Sequence, residues 1–403
     1  MNLEERLLKM GSELDAELRG NILSWWMRYA PDRKYGGFVG QLSRTNRVVE
    51  GATKGSVLNA RILWTFSAAY RMMGERDFLE LADRAYRYIQ DHFTDPEYGG
   101  VYWELDYLGN PTNTRKQIYA LAFVLYAMTE YFLAGGNKKA LAYAVQLFEL
   151  IEAYSLDRRK NGYVEAFSFD WKELDDLRLS EKDANERKTM NTHLHILEAY
   201  ASLFRVWKTS ALEKSLENII LLFTDKFIDP SDRHLRLFFD DDWNCRSGLV
   251  SYGHDIECSW LLYEAAEVLG KKKILEKVKG LSLGMARENL GGLDTDGGLF
   301  NEYFPEEDRV DRDKHWWQQA EALVGYFNAW ELGSDPEFAE KALGSWEFIK
   351  RFLVDREYGE WFWKVSRDGR PFPGDEKAGF WKCPYHNSRA CMEIIRRINS
   401  TIN

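Results

Sequence analysis

Three short segments of this chain hold residues able to move protons. In His254-Asp255-Ile256-Glu257 the histidine and the glutamate stand three apart, so on a helix they share a face. A carboxylate there accepts the imidazole proton and raises its basicity, which gives the pair the form of an oriented general base or of a structural ion pair. His195, in Asn191-Thr192-His193-Leu194-His195, and His386, in Pro384-Tyr385-His386-Asn387-Ser388-Arg389, are the other candidates. An unperturbed pKa of about 6.5 suits imidazole to take and return protons near neutral pH. No metal is expected: two helical positions turn roughly 200°, so His193 and His195 face opposite ways, and no cysteine or carboxylate completes a ligand set. His92, His193, His234 and His315 are expected to be hydrogen-bonded structural residues.

Aromatic side chains accompany these segments. Trp, Tyr and Phe make up 15% of the 403 residues, and 15 residues are tryptophan. Several stand in polar company, at Trp103-Glu104, Asp242-Trp243-Asn244, His315-Trp316-Trp317-Gln318-Gln319 and Phe380-Trp381-Lys382. Any one of them reads most simply as core packing. As a set they suit a sugar, which offers an apolar face of CH groups and an equator of hydroxyls.

Composition excludes other partners. With 64 acidic against 54 basic residues the net charge is -10, and no basic run would hold a phosphate backbone, so nucleic acid is not expected. The N-terminal Met1-Asn2-Leu3-Glu4-Glu5-Arg6 lacks the apolar core of a signal peptide, and the apolar run from Ile118 meets Glu130 before it is long enough to span a bilayer. A cytoplasmic protein without a membrane partner is expected. Cys245, Cys258, Cys383 and Cys391 show no paired spacing and read as reduced, mostly buried thiols.

The elements that position these residues follow from a repeat. Tyr35-Gly36-Gly37-Phe38 recurs as Tyr98-Gly99-Gly100-Val101, Asn161-Gly162-Tyr163-Val164, Asp232-Arg233-His234-Leu235, Asp296-Gly297-Gly298-Leu299 and Tyr358-Gly359-Glu360-Trp361, at steps of 63, 63, 71, 64 and 62 residues. Between copies lie two helical patterns. One is amphipathic, as where Phe78, Leu81, Ala82, Ala85, Ile89 and Phe93 make one face of 76–93, and lies outside; the next, 115–135, is apolar nearly all round and lies inside. The alternation predicts outer helices at 2–29, 76–93, 137–154, 210–227, 272–288 and 336–353. It predicts inner ones at 55–74, 115–135, 186–208, 251–269, 313–332 and 384–399. Neither end of the chain reads as the polar cap an open solenoid needs, since Trp25 and Trp26 sit in the first helix and Tyr385, Cys391 and Met392 in the last. The expected fold is all-α: an (α/α)6 barrel of six inner and six outer helices with short β-hairpin-like connectors, as one domain over 1–403. In such a ring the inner helices run parallel. Arg61, Tyr119, Asn191, His195, His254, Glu257, Trp317 and His386, all near inner-helix starts, then meet at one mouth.

The chain resembles the N-acylglucosamine 2-epimerase superfamily over nearly its full length. The residues that carry the resemblance are Lys54-Gly55-Ser56-Val57-Leu58-Asn59-Ala60-Arg61, Asn191 to Tyr200, Gly253-His254-Asp255-Ile256-Glu257, Trp316-Trp317-Gln318-Gln319-Ala320-Glu321 and Pro384-Tyr385-His386-Asn387. The last of these tilts it toward the branch that acts on disaccharides. The resemblance implies a barrel of six helix pairs and no redox cofactor. It implies C2 epimerisation of the reducing-end glucose of a β-1,4-linked disaccharide, cellobiose or lactose, through an enediolate. By motif, His254 and His386 become the acid and base, Glu257 tunes His254, His195 assists ring opening or proton shuttling, and Arg61 stabilises the sugar oxygen. Tyr119, Asp183 and Asn191 become substrate contacts, and Trp316, Trp317 and Trp381 form the aromatic wall. Aldose-ketose isomerisation and N-acylglucosamine or mannose epimerisation are the near alternatives. A glycoside hydrolase using Asp183, Glu257 and Glu321, or a sugar-binding protein without catalysis, are the distant ones. A monomer is expected, with a dimer as the alternative.

Overall fold

Each repeat folds as an outer helix, an extended connector and an inner helix. In the computed structural model, which describes residues 1–402, these are α1 (residues 3–29), α2 (Ser56–Met73), α3 (residues 76–93), α4 (Ile118–Gly135), α5 (residues 138–155), α6 (Met190–Val206), α7 (residues 210–227), α8 (Tyr252–Leu269), α9 (Lys272–Asn289), α10 (Trp316–Gly333), α11 (residues 336–353) and α12 (Tyr385–Ile402). Even-numbered helices form the inner ring and odd-numbered ones the outer ring, so the (α/α)6 barrel expected from the repeat is the fold. The periodicity explains the layers. On α3 the residues Phe78, Ala82, Ala85, Ile89 and Phe93 are buried and the charged face is exposed, whereas α4 is buried from Ile118 to Leu125 without a break. With 18 residues and a mean hydropathy of 1.5, α4 is long and apolar enough to cross a bilayer, yet its apolarity serves the barrel interior. Its Glu130 is bonded to Arg71 on α2 at 2.7 Å.

The ring closes through both helices and strands. Arg6 on α1 bonds Glu340 on α11 at 2.6 Å, Lys350 on α11 reaches Glu13 on α1 at 2.6 Å, and Trp25 Nε1 donates to the Tyr358 carbonyl at 3.0 Å. The two ends of the chain therefore cover each other, which is why neither carries a polar cap. At the mouth, two or three extended residues before each inner helix pair antiparallel with the next connector: Lys54 with Leu105, Lys116 with Phe167, Lys188 with Phe239, Ser251 with Glu302 and Lys314 with Val365. Leu42 with Ala378 completes the circle.

These pairs correct the predicted helix starts at 115, 186 and 313, which lie at Ile118, Met190 and Trp316. They also reveal what the repeat conserves physically. Lys54, Lys188 and Lys314 are buried and bond Asp32 (2.8 Å), Asp157 (3.0 Å) and Asp294 (2.9 Å), and Lys116 bonds Asp95 in the same way. Each aspartate opens its repeat's tight turn; Asp32, for instance, accepts the backbone N–H of Lys34 and Tyr35. The fourth copy, which has lost its glycines, has also lost the lysine, and Arg236 bonds Asp229 instead at 2.8 Å. The third connector is the long one. The 71-residue step in the repeat is spent on an excursion at 168–187 that overhangs the mouth.

Candidate active site

The N-terminal turns of the inner helices converge on one cavity of about 480 Å³. Its wall contains Arg61 from α2, Tyr119 from α4, Asn191 and His195 from α6, His254 and Glu257 from α8, Trp316 and Trp317 from α10, and His386 from α12, with Trp381 and Asp183 from connectors. Every site residue expected from sequence is thus brought together. The cavity adds residues that the sequence reading missed: Leu179, Ser180, Glu181 and Lys182 from the third excursion, Trp363, and His315, which was expected to be purely structural. His315 caps α10 and also lines the rim. The other three histidines set aside do hold structure: His193 Nε2 accepts from the Tyr163 N–H (2.8 Å), His234 bonds Asp255 (2.7 Å), and His92 bonds the Gly109 carbonyl (3.2 Å). A cavity of about 530 Å³ at the opposite end of the barrel is lined by glutamates and arginines, among them the pairs Glu130–Arg71, Glu264–Arg205 and Glu331–Arg397, and no histidine is among its described lining residues.

The three mouth histidines are anchored differently. His195 Nδ1 lies 3.1 Å from Glu198, and His386 Nδ1 lies 2.7 Å from Glu321. Burial alone would raise both carboxyls, but Arg389 and the histidines hold Glu198 below its ordinary value and bring Glu321 down to about 2. An ionised carboxylate can only accept, so each Nδ1 carries the hydrogen and each Nε2 keeps its lone pair, the form of a general base. His254 departs from expectation. Its Nδ1 faces Ser251 Oγ at 2.8 Å, while Glu257 turns to Arg389 at 2.9 Å. A shared helical face brings Glu257 near, but the full positive charge of a guanidinium is the stronger partner, and helical side chains lean toward the N-terminus, where Ser251 waits. Burial pushes His254 and His386 down to about 3 and lowers His195, with Glu321 and Glu198 opposing at the last two. The resting imidazoles are neutral.

Arg61 is buried with no carboxylate at ion-pair distance among the described residues. It donates to the Tyr119 hydroxyl (2.8 Å) and to Cys383 Sγ (3.6 Å), lies over the Phe123 ring at 4.2 Å, and leaves Nε without a partner. Asn191 Oδ1 is likewise buried and unpartnered. Such groups cost free energy unless something else meets them. Asp183 is half committed, since its Oδ2 accepts from the Ser180 N–H (2.8 Å) and hydroxyl (3.0 Å). Trp317 packs against both His254 (4.8 Å between centroids) and His386 (5.7 Å), and Trp381 packs near Tyr119 (6.0 Å).

Gly253 fixes Trp317. A Cβ at this position would lie 2.4 Å from Gln318 Cγ and 2.6 Å from Trp317 Cη2, so any side chain displaces that glutamine and the ring that spaces two of the histidines. Gly253→Ala is expected to keep cooperative unfolding and to lower kcat/KM by about 10²-fold, as a small misplacement of reacting groups does. Unchanged kinetics would show that this contact does not set the ring.

Glu257, Glu321 and His386 have ligand atoms within 4.8 Å of one another, the spacing a metal ion needs. The guanidinium of Arg389 already bridges the two carboxylates at 2.9 and 2.7 Å and supplies there the positive charge that a cation would bring.

A barrel that gathers imidazoles and tryptophans at one mouth defines a carbohydrate isomerase, and the chain belongs to the N-acylglucosamine 2-epimerase family, whose profile matches residues 36–390. It is 50% identical to the cellobiose 2-epimerase of Bacteroides fragilis over 383 residues, 95% of this chain and 98% of that one. It is 40% identical to the cellobiose 2-epimerase of Ruminococcus albus, over 96% of this chain and 99% of that one. The solved cellobiose 2-epimerase of Spirochaeta thermophila superposes with a TM-score of 0.94 at 41% identity, covering 100% of both chains.

Proposed function

We propose that this enzyme epimerises C2 of the reducing-end glucose in β-1,4-linked disaccharides, turning cellobiose into glucosylmannose and lactose into epilactose by proton abstraction and return. The observation that carries this reading is the set of three neutral imidazoles on three different inner helices facing one tryptophan-walled cavity. The sugar opens to its aldehyde, loses the C2 proton to one imidazole, and regains a proton on the other face of the enediolate from a second. His254 and His386 take those two roles, with Trp317 between them, and His195 serves ring opening. Arg61 meets the oxygen on which negative charge develops, and Tyr119, Asn191 and Asp183 contact hydroxyls. Trp316, Trp317 and Trp381 stack on the sugar rings. A hydrolase reading is weakened because Glu257 and Glu321 are both engaged by Arg389 and do not stand free on either side of a bond.

Turnover of cellobiose in heavy water is the test. Glucosylmannose carrying deuterium at C2 is expected. Product without label would point to hydride transfer, release of glucose to hydrolysis, and label at C1 of a ketose to isomerisation.

A further inference from the structure

The floor beneath the histidines holds more carboxylates than the histidines use. Arg389 donates from Nη2 to Glu257 (2.9 Å) and Glu321 (2.7 Å), and from Nη1 to Glu198 and the Tyr385 hydroxyl, with its guanidinium over Trp260 at 4.7 Å. Titratable and charged groups face this cluster from every inner helix: Arg61 on α2, Tyr119 and Tyr126 on α4, His195 and Glu198 on α6, His254 and Glu257 on α8, Glu321 on α10, and Tyr385 and His386 on α12. Glu264, on the far side of Glu198, is paired with Arg205 at 2.7 Å. Burial raises the tyrosine hydroxyls above their ordinary value, so they stay neutral. What remains is three carboxylates against two guanidinium groups.

Building on the proton-transfer reading above, we propose that Arg389 is a positioning residue that fixes the site's reserve at one proton. Three carboxylates less two guanidinium groups leave a balance of one, a proton held either by Glu257 or by His386, whose ring Nδ1 lies 3.9 Å from the Glu257 carboxyl. A buried site of low dielectric disfavours net charge, so this count is the stable one. It is also the count the reaction needs. Two imidazoles can invert a carbon only while one is charged and the other neutral: with no reserve proton there is no acid, and with two there is no base. At rest the proton sits on Glu257, whose carboxyl burial and the neighbouring Glu321 push well above its ordinary value. In turnover it is held instead on His386 Nε2, the ring nitrogen with a free lone pair, while Nδ1 keeps the hydrogen it gives to Glu321. The Glu257 carboxylate is then left on Arg389 and the imidazolium on Glu321, and no other bond changes.

Infrared difference spectroscopy of the substrate-free protein against Glu257→Gln at neutral pH tests this without turnover, and so independently of the choice of substrate. A protonated-carboxyl band present in the wild type and lost in the variant is expected. Its absence from the wild type overturns the proposal, whatever the enzyme epimerises. In pH profiles of kcat, Arg389→Met removes a positive charge, so the acid limb should move up by about 1 unit or more, while Arg389→Lys leaves it in place. Glu257→Gln should move the alkaline limb down, and Glu257→Gln with Arg389→Met, restoring the balance of one, should return the optimum toward the wild type. A folded Arg389→Met with an unmoved profile, or a double variant displaced as far as Arg389→Met, overturns the proposal. Should Arg389→Met fail to fold, the infrared band and the Arg389→Lys profile decide it.

Discussion

His386→Ala is expected to lower the rate of C2 epimerisation by about 10²–10⁴-fold, the range that a positioned acid or base supplies. His386 has its Nδ1 fixed at 2.7 Å on Glu321, which leaves Nε2 without a protein partner among the described residues. In the resting site burial keeps the ring neutral down to about 3, so it starts in its basic form throughout the neutral range. His254→Ala should cause a loss of the same order, but the two variants should fail differently. Each is incubated with cellobiose carrying deuterium at C2, and loss of label from recovered cellobiose is measured beside formation of epimer. The variant that lacks the base for the glucose-ended sugar should lose both. The variant that lacks the opposing acid should still wash label out while forming no epimer. If both variants invert C2 at the wild-type rate while folded, the two-imidazole mechanism fails.

The anchoring of these rings was only partly legible in the sequence. The helix spacing correctly identified which face of α8 carries His254 and Glu257, but a spacing names a face and not a partner. The guanidinium that captures Glu257 lies 132 positions away, on α12. The same spacing does link His195 to Glu198 three residues on, a pair visible in the segment from Asn191 to Tyr200 and not drawn from it. Glu321, which anchors His386 from a different helix, could not be found by any local rule.

The layers of the fold were legible for a different reason. Burial on one side or on all sides leaves a periodic imprint, as α3 and α4 show, and that imprint survives when the connector motif decays. The mouth was less legible because its order is set by pairs such as Lys116 with Asp95, where a lysine that reads as surface is fully buried against an aspartate. Beyond Asp183, which the family resemblance implied as a substrate contact, the excursion over the cavity left one trace, the 71-residue step, which gives the length of an insertion but not its position. In the structure it falls just before α6, so Leu179, Ser180 and Lys182 reach the substrate side.

Arg61→Met is expected to lower kcat/KM by about 10²–10³-fold, the loss seen when a single preorganised donor to a developing oxyanion is removed, while leaving thermal stability unchanged or higher. The two halves of this expectation come from one observation. A buried guanidinium with no carboxylate at ion-pair distance among the described residues carries a desolvation penalty of about several kcal/mol, here met at contact distance by the Tyr119 hydroxyl at 2.8 Å, a thiol at 3.6 Å and the Phe123 ring, with the carboxylates of the floor acting on it only from farther off. Methionine fills comparable apolar space on Phe123 and removes that penalty. A residue retained for folding would show the opposite sign, since taking away half of a structural ion pair is destabilising. Thermal unfolding and steady-state kinetics of the same preparation separate the cases. A fall in the melting temperature with kcat/KM preserved would make Arg61 a packing residue and leave the enediolate oxygen without its stabilising charge. A stable protein with kcat/KM reduced would place the unpaired charge where the reaction creates its complement.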